Sequence, residues 1–296
     1  MSNGPAGHVA RSTVRPHSET TRPTPLRTFL HTDDGVTIDS VYDPGAVVYD
    51  ASRPSAGDLA FVVAHGFTGD VDKPHVRRVA EAFTRHGAVV TFSFRGHGAS
   101  GGRSTVGDRE VLDLAAAVRW ARELGHARVA TVGFSMGGSV VLRHAALYGE
   151  QGGAGGAGGG ATGDGGARTD AVVSVSAPAR WYYRGTAPMR KLHWLVTRPE
   201  GRLVGRYGFR TRIHHREWDP VPMSPVEAAA LIAPTPLLIV HGDRDGYFPL
   251  DHPRMLAAAA GDHGELWLEP GMGHAEHAAA DELLGRIGDW AVGRAG

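Results

Sequence analysis

The segment that decides the fold is RVATVGFSMGGSVVL, residues 128–142. Its first seven residues are mostly apolar and β-branched, which predicts a buried strand, and the residues after Gly137 are typical of a helix. Between them lies the G-x-S-x-G sequence of residues 133–137. Where this pattern joins a strand to a helix, a sharp turn strains the serine backbone and exposes its hydroxyl, and glycines leave the necessary room. The segment therefore predicts a nucleophile elbow, with Ser135 as the nucleophile at the carboxyl end of a strand. The helix that follows it is called the elbow helix.

Strand-like and helix-like segments alternate along most of the chain. A hairpin is predicted at 28–32 and 36–42, before the first buried strand. Further strands are predicted at 59–64, 89–94, 128–134, 171–175, 237–241 and 265–268. Helices are predicted at 75–86, 110–124, 138–148, 253–260 and 276–292. This alternation predicts an α/β fold with a mostly parallel central sheet covered by helices on both faces.

Two segments interrupt the alternation, and a third precedes it. Residues 1–25 are rich in Arg, Pro, Ser and Thr, which predicts a disordered tail before a single domain at 26–296. Residues 149–169, which include a run of glycine and alanine, are predicted to form a flexible loop at the amino edge of the sheet. Residues 179–226 follow the strand after the elbow helix. They leave the carboxyl edge of the sheet, where active sites of such folds lie, and are predicted to form a small cap.

Composition excludes several classes of function. The formal net charge is zero, which favours neither nucleic acid nor a membrane surface as partner. The chain contains no cysteine, which excludes disulfides, a thiolate nucleophile and cysteine-bound metals. It has no apolar run long enough to span a membrane, and its first residues lack the apolar core of a secretory signal. We therefore expect a cytoplasmic protein without a membrane span, and the sequence does not predict its oligomeric state.

A serine hydroxyl needs a general base, and the base needs a carboxylate that orients it. In a fold of this kind both partners are expected on loops after later strands, in the order serine, acid, histidine. His274 follows the last predicted strand within the sequence Gly-Met-Gly-His. Asp243 and Asp245 both follow the strand before it, so two candidates for the acid are present.

Four motifs in order carry a resemblance to a known family: HGFTG at 65–69, RGHGAS at 95–100, the elbow, and the paired Asp and His loops. The chain resembles the α/β-hydrolase superfamily, in particular its esterase/lipase or serine-aminopeptidase-like group. The resemblance covers about residues 28–296, apart from the glycine-rich loop and a divergent cap. It implies the α/β-hydrolase fold, with the cap inserted after the strand that follows the elbow helix.

The resemblance also implies roles for individual residues. The family's G-x-x-D pattern selects Asp245 as the acid, and Asp243 is then expected to bond within its loop. The backbone N–H groups of Phe67 and Met136 would form the oxyanion hole. His65 and His97 lie in motif loops and are expected to make structural hydrogen bonds.

The implied activity is that of a serine hydrolase that cleaves a small or medium carboxylic ester through an acyl-enzyme, without metal or organic cofactor. Thioesterase, amidase or peptidase, acyltransferase and cofactor-free perhydrolase activities use the same residues and remain alternatives. A non-catalytic ligand-binding member of the fold is a remote alternative, because it predicts damage to the triad and none is visible.

The cap is the region expected to select the substrate. Aromatic residues there and near the acid loop are predicted to line the substrate pocket, with a small core of the cap itself as the alternative: Trp181, Tyr182, Trp194 and Tyr247. Residues 179–224 also contain nine arginines and one lysine against three acidic residues. This positive charge has two interpretations. Either the substrate is an anionic small-molecule ester, or the arginines merely form a solvated surface.

Overall fold

The computed structural model describes the chain in three ranges, 24–45, 58–149 and 165–296. The predicted tail, except for residues 24 and 25, lies outside these ranges. So do residues 150–164 of the predicted glycine-rich loop. Of the remainder of that loop, Gly165–Ala167 form a short 3-10 helix before the next strand begins at Ala171.

Eight strands form one sheet. They are β1 Leu26–His31, β2 Thr37–Asp43, β3 Leu59–Ala64, β4 Ala88–Phe92, β5 Arg128–Phe134, β6 Ala171–Val175, β7 Leu237–Gly242 and β8 Gly264–Glu269. Their order in the sheet is β1-β2-β4-β3-β5-β6-β7-β8. Strand β2 runs antiparallel to both of its neighbours, and the remaining pairs, from β4 across to β8, are parallel. The prediction of a mostly parallel sheet is confirmed.

Helices cover both faces of this sheet, as predicted. They are α1 Pro74–Phe83, α2 Glu110–Glu123, α3 Met136–Tyr148, α4 Ala187–Thr197, α5 Pro199–Gly208, α6 Pro225–Ala229, α7 Asp251–Ala260, α8 Ala275–Ala278 and α9 Asp281–Arg294. Within the described ranges, none of these helices is long and apolar enough to cross a lipid bilayer.

The central strands are buried on both sides, and each side has its own core. In β3, Ala60 and Val62 face a core shared with α2, α3, α6 and α7. The alternate residues Leu59, Phe61 and Val63 face a second core shared with α1, α8 and α9. Successive side chains of a strand point to opposite faces, so a continuous apolar run such as 59–64 serves both cores.

The prediction of one helix over 276–292 is wrong, because the chain forms α8 and α9 with a break between them. The Arg78 guanidinium on α1 donates to the carbonyl oxygens of Glu276 at 2.7 Å and Ala279 at 2.8 Å. These carbonyls are thereby satisfied from outside the helix, and Ala280 adopts an extended conformation (φ −70°, ψ 156°). The break is thus fixed by a residue about 200 positions earlier.

The region predicted as the cap contains two helices, α4 and α5, followed by an extended segment that fastens it to the body. Thr211 and Ile213 form isolated bridges with His97 and Ser104, which lie in the loop after β4. Helix α6, by contrast, has buried residues in the core between α3 and α7 and so belongs to the body.

His144 on α3 is a fully buried histidine without a hydrogen-bond partner on either ring nitrogen in the part of the chain that is described. Its ring stacks on Tyr148 with centroids 4.7 Å apart. Burial, together with the charge of Arg119, lowers the pKa of His144 to about 3. In the unfolded chain a histidine has a pKa near ~6.5. Below that pH the unfolded state binds a proton that the folded state excludes, so acid destabilises the fold.

Replacing His144 with Leu should therefore protect the protein against acid. The free energy of unfolding of His144→Leu minus that of wild type should be about 2 kcal/mol larger at pH 5 than at pH 7.5. Urea unfolding of both proteins at the two pH values measures this difference. If the difference in unfolding free energy between the two proteins were the same at both pH values, the lowered pKa of His144 would be wrong.

Candidate active site

Ser135 lies in the turn between β5 and α3 with φ 52° and ψ −112°, a backbone conformation that L-residues rarely adopt. Two glycines make this turn possible. A Cβ on Gly133 would overlap the carbonyl of Gly137, and a Cβ on Gly137 would overlap the carbonyl of Ala64 at the end of β3. The turn therefore has the geometry expected of a nucleophile elbow and presents the serine at the carboxyl edge of the sheet.

Ser135, His274 and Asp245 form one hydrogen-bonded chain, although 139 residues separate the first two. His274 Nε2 lies 2.9 Å from Ser135 Oγ, and His274 Nδ1 lies 2.8 Å from Asp245 Oδ2. Asp245 follows β7 and His274 follows β8, so the three residues meet because the carboxyl ends of parallel strands share one edge. The arrangement can pass a proton from the serine to the imidazole.

The Asp245 carboxylate is fully buried, and its other oxygen accepts the backbone N–H groups of Tyr247 at 2.8 Å and Phe248 at 3.1 Å. Burial alone would raise the pKa of Asp245, but the hydrogen bond and charge of His274 and the hydrogen bond from the Phe248 amide hold the pKa below its usual range. An ionised carboxylate only accepts hydrogen bonds, so His274 carries a proton on Nδ1 and leaves Nε2 free to accept from the serine.

Asp243, the rival acid, lies outside this chain. Its carboxylate accepts the N–H of Gly271 at 2.7 Å. The bond therefore joins two loops, whereas we expected a bond within one loop. It steadies the segment that leads to His274.

The loop after β3 brings Phe67 to the cavity that Ser135 and Met136 also line. In the described part of the chain, neither the Phe67 nor the Met136 N–H donates to another group, and Met136 is the first residue of α3, where an N–H has no partner within the helix. Among the described residues, both amides are therefore unoccupied.

His65 fixes the direction of the Phe67 amide. The Gly66 carbonyl accepts from His65 Nδ1 at 2.7 Å and from the Gly69 N–H at 3.0 Å. Since a peptide group is planar and trans, holding this carbonyl directs the Phe67 N–H to the opposite side. His65 Nε2 accepts from the Phe94 N–H at 3.0 Å. Burial lowers the pKa of His65 to about 3, so the ring remains neutral and makes both bonds with one tautomer.

A cavity of about 470 Å³ opens above Ser135, between the body and the cap. Two of the four predicted pocket residues, Trp181 and Tyr182, line it. Tyr247 does not line the cavity. Its ring instead stacks on the His274 imidazole, with centroids 4.2 Å apart and an interplanar angle of 24°.

Trp194 was predicted to line the pocket, but the structure places it outside the cavity wall, where it is 47 % exposed. Helix α4 faces the cavity with Met189, Leu192, His193 and Val196, which are spaced as one helical stripe. Trp194 lies off this stripe. The spacing of these four residues is visible in the sequence and is the signal that could have predicted them.

Another missed residue is Glu276, whose buried carboxylate accepts the Gly66 N–H at 2.9 Å. No local pattern marks it, since its partner is 210 residues away. Within the described ranges, His, Asp and Glu side chains form no group of three that could hold a metal ion.

The elbow geometry predicts that Gly133 tolerates no side chain. Gly133→Ala should lower the free energy of unfolding by about 3 kcal/mol, because the added methyl displaces the start of α3. A matched control is Gly285→Ala in α9, where a Cβ meets nothing within 4 Å and should stabilise by about 0.5–1 kcal/mol. Urea unfolding compares the two variants, and a Gly133→Ala protein as stable as wild type would contradict the packing described above.

Comparisons with known proteins bear on the fold and the family of this chain. The model of a family described as "Alpha/beta hydrolase family" matches residues 61–286. A monoacylglycerol lipase of Mycolicibacterium smegmatis is 28% identical over 253 residues, which cover 77% of this chain and 85% of the lipase. An esterase of Pyrococcus furiosus has a similar structure, with a TM-score of 0.66 at 22% identity over 92% of this chain and 91% of the esterase. Est1E of Butyrivibrio proteoclasticus, solved with ferulic acid bound, gives a TM-score of 0.56 at 18% identity over 90% of this chain and 98% of its own.

At such identities the two solved structures support the fold, and the family match rests on the sequence itself. That match spans more than three quarters of the chain and includes the elbow, the acid loop and the histidine loop. The chain therefore belongs to the alpha/beta hydrolase family.

Proposed function

We propose that this protein is a serine hydrolase that cleaves small or medium carboxylic esters through an acyl-enzyme. The observation that carries the proposal is the hydrogen-bonded chain from Asp245 through His274 to Ser135, placed below a mainly apolar cavity. The similarity to a lipase and to esterases supports ester bonds as the target. Thioesterase, amidase, peptidase and acyltransferase activities are alternatives that the same residues support.

In the first half of the reaction, Ser135 Oγ attacks the ester carbonyl while His274 Nε2 takes the hydroxyl proton. The carbonyl oxygen becomes an oxyanion, which the Phe67 and Met136 N–H groups stabilise. Asp245 stabilises the imidazolium. The tetrahedral intermediate then expels the alcohol, which receives the proton from His274, and the acyl group remains on Ser135. Water repeats the sequence with His274 as base and releases the acid.

Replacement of Ser135 or His274 by Ala should lower kcat/KM for a 4-nitrophenyl ester by at least about a thousandfold. Ser135→Ala should also abolish labelling by a fluorophosphonate probe. Ser139→Ala is the matched control, since this serine lies one turn further along α3 and should leave labelling intact. If wild-type protein resisted the probe, or if Ser135→Ala kept its esterase activity, the proposal would be wrong.

We also infer that the preferred ester carries a negative charge away from the scissile bond. Four arginines line the cavity: Arg180, Arg184, Arg202 and Arg216. Arg180 pairs with Asp251 at 2.9 Å, and Arg202 donates to the Thr197 carbonyl at 2.9 Å.

Among the described residues, Arg184 and Arg216 have no carboxylate partner, and both are exposed at the cavity mouth. The neighbouring His215 has a lowered pKa because of desolvation and of nearby basic groups that include His214 and Arg216. Glu217 is the single acidic residue of the lining in the described ranges. Arg184 and Arg216 are therefore available to a carboxylate of the substrate.

The double variant Arg184→Gln/Arg216→Gln tests this inference with two substrates of equal chain length, the 4-nitrophenyl monoester of adipic acid and 4-nitrophenyl hexanoate. KM for the anionic monoester should rise about fivefold to tenfold, because exposed pairs contribute roughly 0.2–1 kcal/mol each. KM for the neutral ester should stay within about twofold.

Arg206→Gln is the matched control for this pair of variants. Arg206 carries the same charge on the cap but lies over the Tyr207 ring, at 5.5 Å, outside the cavity lining. Equal effects of all variants on both substrates would reject a local anion site, and an effect of Arg206→Gln as large as that of the double variant would indicate long-range attraction alone.

A further inference from the structure

Glu276 connects two loops that meet at the active site. It lies two residues after His274, at the start of α8, and its side chain is 5 % exposed. Its carboxylate Oε1 accepts the backbone N–H of Gly66 at 2.9 Å. Gly66 belongs to the loop after β3 and directly precedes Phe67. One buried side chain therefore joins the loop of the histidine to the loop of the Phe67 amide.

The surroundings of Glu276 hold its carboxylate in place. A Cβ on residue 66 would lie 3.1 Å from Glu276 Oε1, so a glycine there allows this close approach. His75 Nε2 lies 3.9 Å from the same oxygen. The Arg78 side chain donates to the Glu276 carbonyl at 2.7 Å, which fixes the backbone of α8 against α1. The side chain and the main chain of Glu276 are thus anchored separately.

The bond to Glu276 completes the support of the Gly66 peptide units. The carbonyl of Gly66 is held by His65 and Gly69, and its N–H is held by Glu276. With both ends fixed, the plane of the following peptide group is determined, and so is the direction of the Phe67 N–H. A hydrogen bond to a buried carboxylate is stronger than one between neutral groups, which suits it to hold a donor that must be aligned before charge develops.

We propose that Glu276 is a positioning residue for ester hydrolysis: its carboxylate holds the Phe67 amide in register with His274. The inference rests on the proposed function, since it concerns the oxyanion hole of that reaction. It differs from a role in folding alone, because the carboxylate bonds to the loop that carries an oxyanion donor. The transition state, in which the carbonyl oxygen is charged, should depend on Glu276 more than substrate binding does.

The test compares Glu276→Ala, Glu276→Asp and Glu276→Gln in the full-length protein. Ala removes the acceptor, Asp keeps the charge but is one methylene too short to reach Gly66, and Gln keeps an acceptor at the same distance. For a 4-nitrophenyl ester, kcat should fall about 10-fold to 100-fold in the Ala and Asp variants, with KM within about threefold of wild type. The Gln variant should retain kcat within about threefold to fivefold.

A second readout follows the oxyanion directly. A trifluoromethyl ketone that forms a tetrahedral adduct on Ser135 should lose affinity in each variant in proportion to the loss of kcat/KM. Asp281→Ala is the matched control, because it removes a carboxylate that pairs with Arg78 beside α8 without reaching Gly66 or the histidine loop. It should leave the ratio of inhibitor affinity to KM unchanged.

Two outcomes would overturn the inference. One is a Glu276→Ala or Glu276→Asp protein that melts at a lower temperature but keeps kcat and inhibitor affinity, since its role would then be structural. The other is a Glu276→Gln protein as impaired as Glu276→Ala, since acceptance of the Gly66 N–H would then be irrelevant. Failure of the proposed function itself looks different, because the wild type would neither hydrolyse esters nor react with a fluorophosphonate.

Discussion

The close approach of the elbow to the end of β3 is the constraint on which the site depends. Gly137 lies so near the carbonyls of Ala64 and His65 that no side chain fits between them. The start of α3 is therefore pressed against the loop that continues to Phe67. The same contact strains Ser135 and places the Met136 amide next to that loop. The candidate nucleophile and both candidate oxyanion donors are thus positioned by one piece of backbone packing.

Buried carboxylates extend this constraint to the rest of the site. Asp245 accepts two backbone amides and His274, and Glu276 accepts the Gly66 amide. A buried ionised group is unfavourable unless donors compensate its desolvation, and here the donors are main-chain groups of the functional loops. Because each buried carboxylate must be bonded by main-chain N–H groups, the loops that carry these groups are held in one geometry. Asp245 thus bonds to the His274 ring, and Glu276, two residues after His274, bonds to the loop after β3.

The sequence predicted those features that depend on local pattern. The sequence predicts the strands at 59–64, 128–134 and 171–175 with the bounds that the structure has, because each is a mostly apolar run between clear breaks. Ser135 and His274 are also predicted from their places after strands, whereas the resemblance to the family selects Asp245 over Asp243. Features that depend on distant partners were missed. Arg78 breaks the helix predicted at 276–292, and Gly66 gives Glu276 its position, yet neither partner lies near in the chain.

The arginines of the cap also depend on partners that are distant in the chain and that the sequence does not reveal. Nine arginines in 179–224 are visible in the sequence. The sequence does not show that these arginines have different environments. Arg180 is neutralised by Asp251, Arg202 binds helix carbonyls and Arg206 lies on Tyr207, so these side chains serve the cap's own structure. Arg184 and Arg216 have no such partner among the described residues and face the opening above Ser135. A charge without a structural partner at a cavity mouth is available to a ligand, and the proposed preference for an anionic ester therefore rests on these two arginines and not on the net charge.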